Sequence, residues 1–150
     1  MNRALVLACG NPQRGDDGVA LHIAKFLENS SGVPEMAIRF QQQWTPELAE
    51  PISESEIVVF VDSSGDAVPG TIAYRQIQPS PRLSPGLSHH CSPESLLALA
   101  KELYGKQPAR AYLVTVCGVS FALSEVLSEP VRQAIPRAVE IVTRVSRERP

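Results

Sequence analysis

Ala4-Leu5-Val6-Leu7-Ala8-Cys9-Gly10-Asn11-Pro12-Gln13-Arg14-Gly15-Asp16-Asp17-Gly18-Val19-Ala20 changes character twice. The apolar run Ala4 to Cys9 reads as a buried β-strand, and it stops at Gly10 and Asn11, residues that tolerate a tight turn. After a loop come two adjacent carboxylates, and then an amphipathic helix begins. A strand–loop–helix of this kind sets its loop at the carboxyl edge of a parallel sheet, where α/β folds bind ligands. Asp16 and Asp17 therefore fall where chemistry is usually done. Gly10 and Gly15 have the spacing of a phosphate-binding loop, but Asp16-Asp17 replaces its Lys-Ser/Thr and would repel phosphate. The dinucleotide pattern fails too, because Pro12 stands at its second glycine. Simple capping of the helix dipole is the bland alternative for both carboxylates. As a ligand, a cation suits this loop better than an anion.

Working outward, the next signals are strands. Met36 to Phe40 alternates as a second strand, and Gln41-Gln42-Gln43-Trp44 follows it. Thr45 and Pro46 form a helix start. Ile57-Val58-Val59-Phe60-Val61 is the strongest strand signal, without alternation, as expected of a central parallel strand covered on both faces. It runs into Asp62, which places that carboxylate on the same edge as Asp16 and Asp17. Gly70 to Ile77 alternates as an edge strand, with antiparallel pairing open to it. The Pro- and Ser-rich stretch 78–87 reads as a loop that delivers Ser88-His89-His90-Cys91 to a helix capped by Ser92, with Pro93 at its first position. Gly105 ends that helix. Ala111 to Cys117 is the last strand and about Pro130 to Arg147 the last helix. The first helix is expected over about Asp17 to Glu28.

Strands alternating with helices predict an α/β fold: a three-layer αβα sandwich whose mostly parallel, twisted sheet has about five strands. The 150 residues fit one domain, 1–150, with one sizeable core. The composition, 43% hydrophobic and 20% charged with a formal net charge of −2, gives no electrostatic reason to expect nucleic acid or an anionic membrane as partner. No apolar run approaches membrane-spanning length, and the start passes directly into a strand without a signal-peptide pattern. A cytoplasmic monomer is the expectation. Cys9, Cys91 and Cys117 make no CxxC motif, and their odd number points to reduced thiols. Cys9 and Cys117 each end an apolar run, as packing residues do.

In such a fold Asp16, Asp17 and Asp62 leave neighbouring strands at one edge, and the loop after residue 78 can bring His89 or His90 to meet them. Carboxylate oxygen and imidazole nitrogen without thiolate suit a divalent transition metal with open positions. A Ser-His-Asp hydrolase is a weaker reading, because none of Ser63, Ser64, Ser88, Ser92 and Ser120 lies in a G-x-S-x-G elbow.

The run Gly10-Asn11-x4-Asp16-Asp17-Gly18-Val19, then the strand ending in Asp62, then Ser88-His89-x3-Pro93-x3-Leu97, resembles the [NiFe]-hydrogenase maturation endopeptidases. The resemblance extends through Val114-Thr115-Val116-Cys117-Gly118-Val119 and the final helix. It implies that Asp17, Asp62 and His89 are the metal-binding and catalytic residues, with His89 preferred to His90 by its interval to Pro93 and Leu97. Asp16 is left as an orienter of that site. It further implies an endopeptidase that removes a C-terminal extension from the nickel-loaded precursor of a hydrogenase large subunit. The nickel is carried by that substrate, with no tightly bound cofactor of the enzyme's own. A hard, thiolate-free site suits loose recognition of nickel held by the substrate's cysteines. One departure is Gln41 to Glu47, where members often carry an acidic, Gly-rich turn. Trp44 within it reads as a half-buried core residue, with substrate contact as its alternative. Two rival functions are a nickel-sensing scaffold that cuts nothing and a receiver-like signalling domain. The receiver reading lacks the lysine it needs near Cys117-Gly118-Val119-Ser120.

Overall fold

The computed structural model describes residues 3–30, 36–81 and 91–148. Its elements, in chain order, are β1 (Ala4–Cys9), a 3-10 turn (Gly15–Gly18), α1 (Val19–Asn29), β2 (Met36–Gln41), a 3-10 turn (Pro46–Leu48), α2 (Ala49–Ser53), β3 (Ile57–Ser64), β4 (Ile72–Gln76), α3 (Pro93–Tyr104), β5 (Arg110–Cys117) and α4 (Glu129–Ser146). The sheet has the order β2-β1-β3-β5-β4, with β4 antiparallel to β5 and every other pair parallel. The chain forms the expected α/β sandwich, and its edge strand β4 takes the antiparallel of the two pairings left open to it.

The continuous apolar runs are explained by burial on both sides. Ala4, Val6, Ala8, Ile57, Val59, Val61, Val114 and Val116 pack in one core cluster with α1 and α4. Leu5, Leu7, Val58, Phe60 and Ala111 pack in a second cluster with α2 and α3. Successive side chains of a strand point to opposite faces, so a strand covered twice must be apolar throughout. β1 and β3 occupy that position. The chain winds from β1 outward to β2, then returns to set β3 on the other side of β1. That reversal is the topological switch point, and the crevice outside its carboxyl ends is where open α/β sheets bind ligands.

Two boundaries differ from expectation. The segment 15–18 is a 3-10 turn, and α1 begins only at Val19, with no side-chain cap at either start. Capping is therefore not what Asp16 and Asp17 do. β3 runs on through Asp62, Ser63 and Ser64, which pair with Thr115, Val116 and Cys117. These polar residues read as a turn, but β5 extends alongside and offers them a ladder. The helix at Pro93 starts as expected: Ser92 Oγ accepts from the Ser95 N–H and Ser95 Oγ accepts from the Ser92 N–H, a capping box. The order and the antiparallel β4 depart from the all-parallel 2-1-3-4-5 sheet of receiver domains. Among the described residues no helix is long and apolar enough to cross a membrane.

Candidate active site

β1 ends at Cys9, and the chain must double back to reach α1. Gly10 permits this, because a Cβ there would stand 2.0 Å from the Asp17 carbonyl oxygen. The Gly10 N–H donates to the Gln41 carbonyl at 3.1 Å, tying the turn to the end of β2. The loop then folds around Asp17. The Asn11 N–H donates to Asp17 Oδ2 at 2.8 Å, and Ser63 Oγ donates to Asp17 Oδ1 at 2.6 Å. Ser63 also donates its backbone N–H to Asp62 Oδ1 at 2.8 Å. One serine thus holds both carboxylates, Asp17 by its hydroxyl and Asp62 by its amide. The structure brings these two acids to the switch point between β1 and β3.

Their electrostatics show how closely they are set. Asp62 is pushed up to about 6, chiefly by burial and also by the negative charge of Asp17. The Ser63 amide and a hydrogen bond from the Trp44 side chain pull the other way without prevailing. Cys9, buried beneath them, is pushed up to about 12 by burial and then by the charges of Asp62 and Asp17. It is a neutral thiol. None of the ion pairs among the described residues includes Asp17 or Asp62. Two acids held together on one serine form an electron-rich oxygen donor pair, whose repulsion a divalent ion would relieve. The described residues contain no complete three-donor metal cluster of His, Cys, Asp and Glu. The expected third donor, His89, and its neighbour His90 lie outside the described residues.

Asp16 is placed elsewhere than expected. Its carboxylate turns from Asp17 into the loop after β5. Oδ2 accepts from the Val119 N–H at 2.7 Å, the Ser120 N–H at 3.3 Å and Ser128 Oγ at 2.8 Å, and Oδ1 accepts from the Ser128 N–H at 2.7 Å. Burial would raise this carboxyl, but those hydrogen bonds outweigh it and hold Asp16 below the ordinary carboxylate range. Asp16 is a loop clamp.

Two residues of the site escaped the sequence reading. The sequence offers Ser63 only as a possible nucleophile, although a hydroxyl one residue past a strand-end acid is placed to reach an acid in the loop after the neighbouring strand. Trp44 is half-buried as expected, with its ring edge-on to Phe60 at 5.4 Å and 82°. Its influence on Asp62, whose carboxyl it draws downward, adds a role that core packing alone does not suggest. Cys117 is buried as expected, and its Sγ donates to the Ala67 carbonyl at 3.0 Å.

The fold that carries these acids is shared with solved structures of [NiFe] hydrogenase maturation proteases. The solved structures it is similar to include the hydrogenase maturating endopeptidase HybD from E. coli, at 23% identity and a TM-score of 0.75 over 93% of this chain and 89% of that one. The hydrogenase 2 maturation peptidase of a Thaumarchaeota archaeon is 26% identical, with a TM-score of 0.73 over 95% of this chain and 97% of that one. The maturation protease HycI of Thermococcus kodakarensis is 21% identical, with a TM-score of 0.72 over 98% and 94% respectively. No family model and no curated protein matches the sequence.

Proposed function

We propose that this protein is an endopeptidase that removes the C-terminal extension of a [NiFe]-hydrogenase large-subunit precursor once nickel has been inserted. The observation that carries the reading is the Asp17–Ser63–Asp62 assembly at the switch point of a fold shared with hydrogenase maturation proteases. Asp17 and Asp62 are the oxygen ligands and His89 the nitrogen ligand of the nickel that the substrate carries. Support for the histidine comes from its flank. The described chain resumes at Cys91, which packs against the same core cluster as Trp44, and Trp44 is one of the groups that draw the Asp62 carboxyl downward.

Chemically, the pair is suited to transient recognition. Hard carboxylates hold a borderline metal less firmly than the thiolates of a nickel site, so the ion stays with the substrate. A nickel bridged in this way can position and polarise the scissile carbonyl. Water then adds its hydroxide to the acyl carbon, the C–N bond breaks, and the released amine takes the remaining proton. Ser63 keeps the two acids in one geometry throughout, the work expected of a partner standing behind metal ligands. The enzyme acts in the cytoplasm as a monomer and keeps no tightly bound cofactor.

The deciding experiment incubates the purified protein with nickel-loaded and nickel-free precursor and reads the C-terminus by mass spectrometry. Shortening of the loaded form alone is the expected result. Equal cleavage of both forms would refute nickel sensing, and stoichiometric binding without cleavage would make the protein a scaffold.

A further inference from the structure

We infer that the 118–128 loop is the surface that holds the substrate polypeptide beside Asp17 and Asp62, and that Asp16 is the positioning residue that fixes this loop. The inference rests on the proteolytic reading above and names the part of the molecule that recognises the chain being cut.

The loop is bound far more tightly than its own burial requires. Asp16, 1% exposed, collects hydrogen bonds from Val119, Ser120 and Ser128. Around it, Asp16 N–H donates to Ser120 O at 3.0 Å, Gly15 N–H to Ser124 O at 2.7 Å and Ser124 N–H to Gln13 O at 2.9 Å. Gly118 lies so close that a Cβ there would stand 2.7 Å from Asp16 Cβ. Yet the loop sends mainly Leu127 into the core, while Val119 (54%), Phe121 (38%), Leu123 (77%) and Val126 (68%) stand exposed. A buried anion fixing a loop whose apolar side chains face water is arranged for an occupant.

What covers it follows from continuity and charge. The Gly118 N–H donates to the Ser64 carbonyl at 2.9 Å, and the Phe121 ring lies against Gly65, so the loop abuts the end of β3 that carries Asp62. Glu125 is its one charged residue, which leaves nothing to attract phosphate or an anionic lipid. The occupant that fits is an apolar segment of the substrate polypeptide, next to the scissile bond.

The test measures processing and capture of nickel-loaded precursor by the full-length protein, Asp16→Asn, and the double variant Leu123→Ser/Val126→Ser. An Asn amide would point a donor at other donors, so the Val119, Ser120 and Ser128 amides should exchange faster in Asp16→Asn. Both variants should raise KM about tenfold with kcat within about twofold. A purely structural Asp16 would instead lower apparent kcat through the folded fraction and leave KM alone, and that result overturns its role. An unchanged KM and capture in the double variant overturns the docking surface while leaving the protease intact. If the wild type captures precursor in a Leu123/Val126-dependent way but never cuts it, the surface stands and the proteolytic reading falls. Absence of both capture and cleavage removes both.

Discussion

At the amino edge of the sheet opposite charges meet, whereas at the carboxyl edge like charges do. Arg110 Nη1 lies 3.1 Å from Glu148 Oε2, the Tyr112 hydroxyl donates to the same oxygen, and Arg3 reaches both the Glu148 carbonyl at 2.8 Å and the Glu56 carboxylate at 3.5 Å. These contacts join the starts of β1, β3 and β5 to the end of α4. They are partly exposed, and pairs of that kind contribute little each. The carboxyl edge instead holds Asp17 and Asp62 together on one serine, and none of the ion pairs among the described residues includes either acid. The lesson is that one edge is assembled for stability and the other stores a repulsion that a cation can release.

The largest effect that can break this contrast is on turnover. Asp17→Asn or Asp62→Asn should lower precursor processing more than about 100-fold, beyond what supporting residues behind a metal site usually cost. Both variants should stay folded by circular dichroism. His89→Ala should do the same, and if only His90→Ala were inactive the ligand would move by one residue. Ser63→Ala comes next. It removes the hydroxyl on Asp17 but keeps the amide on Asp62, so nickel-dependent processing should fall about tenfold. An unchanged rate would show that the bridge is incidental.

Stability should respond with opposite sign at the two edges. Asp62→Asn relieves a buried charge, so at pH 8 it should stabilise the domain by about 1–2 kcal/mol in chemical unfolding while destroying activity. Glu148→Ala should destabilise by about 1 kcal/mol and leave processing intact below the melting temperature. If Asp62→Asn is destabilising instead, no repulsion is stored there.

The smallest effects are in the pH profiles. The folded state holds the Asp62 proton more tightly than the unfolded chain, so its contribution to stability declines as pH rises from 3.8 through about 6 and then levels off. Asp16 runs the other way. Its carboxyl is lowered on folding, so the clamp is at full strength above the ordinary value of 3.8 and is lost as pH falls through the lowered one. A carbon-detected NMR titration should place Asp62 near 6 and show a lower midpoint in Asp17→Asn. On the proposed reading nickel displaces that proton, so processing should weaken as pH drops through the same range.

The layers and the chemical edge were legible because doubly buried strands have few alternatives. Val58, Phe60 and their neighbours could only belong to a central strand, and Asp62 at its end could only face the ligand edge. The roles of Asp16 and Asp17 were not separable in the same way. Adjacent residues of one type diverge here because a 3-10 turn points one toward Ser63 and the other toward Ser128, a choice made by contacts far along the chain. The length of β3 depended on its neighbour β5 for the same reason.

Cys9 has a practical corollary. A sulfur hydrogen whose departure is opposed by burial and by two negative neighbours reacts slowly with iodoacetamide or peroxide. The protein would therefore pass through a cysteine-inhibitor screen unmarked at its centre.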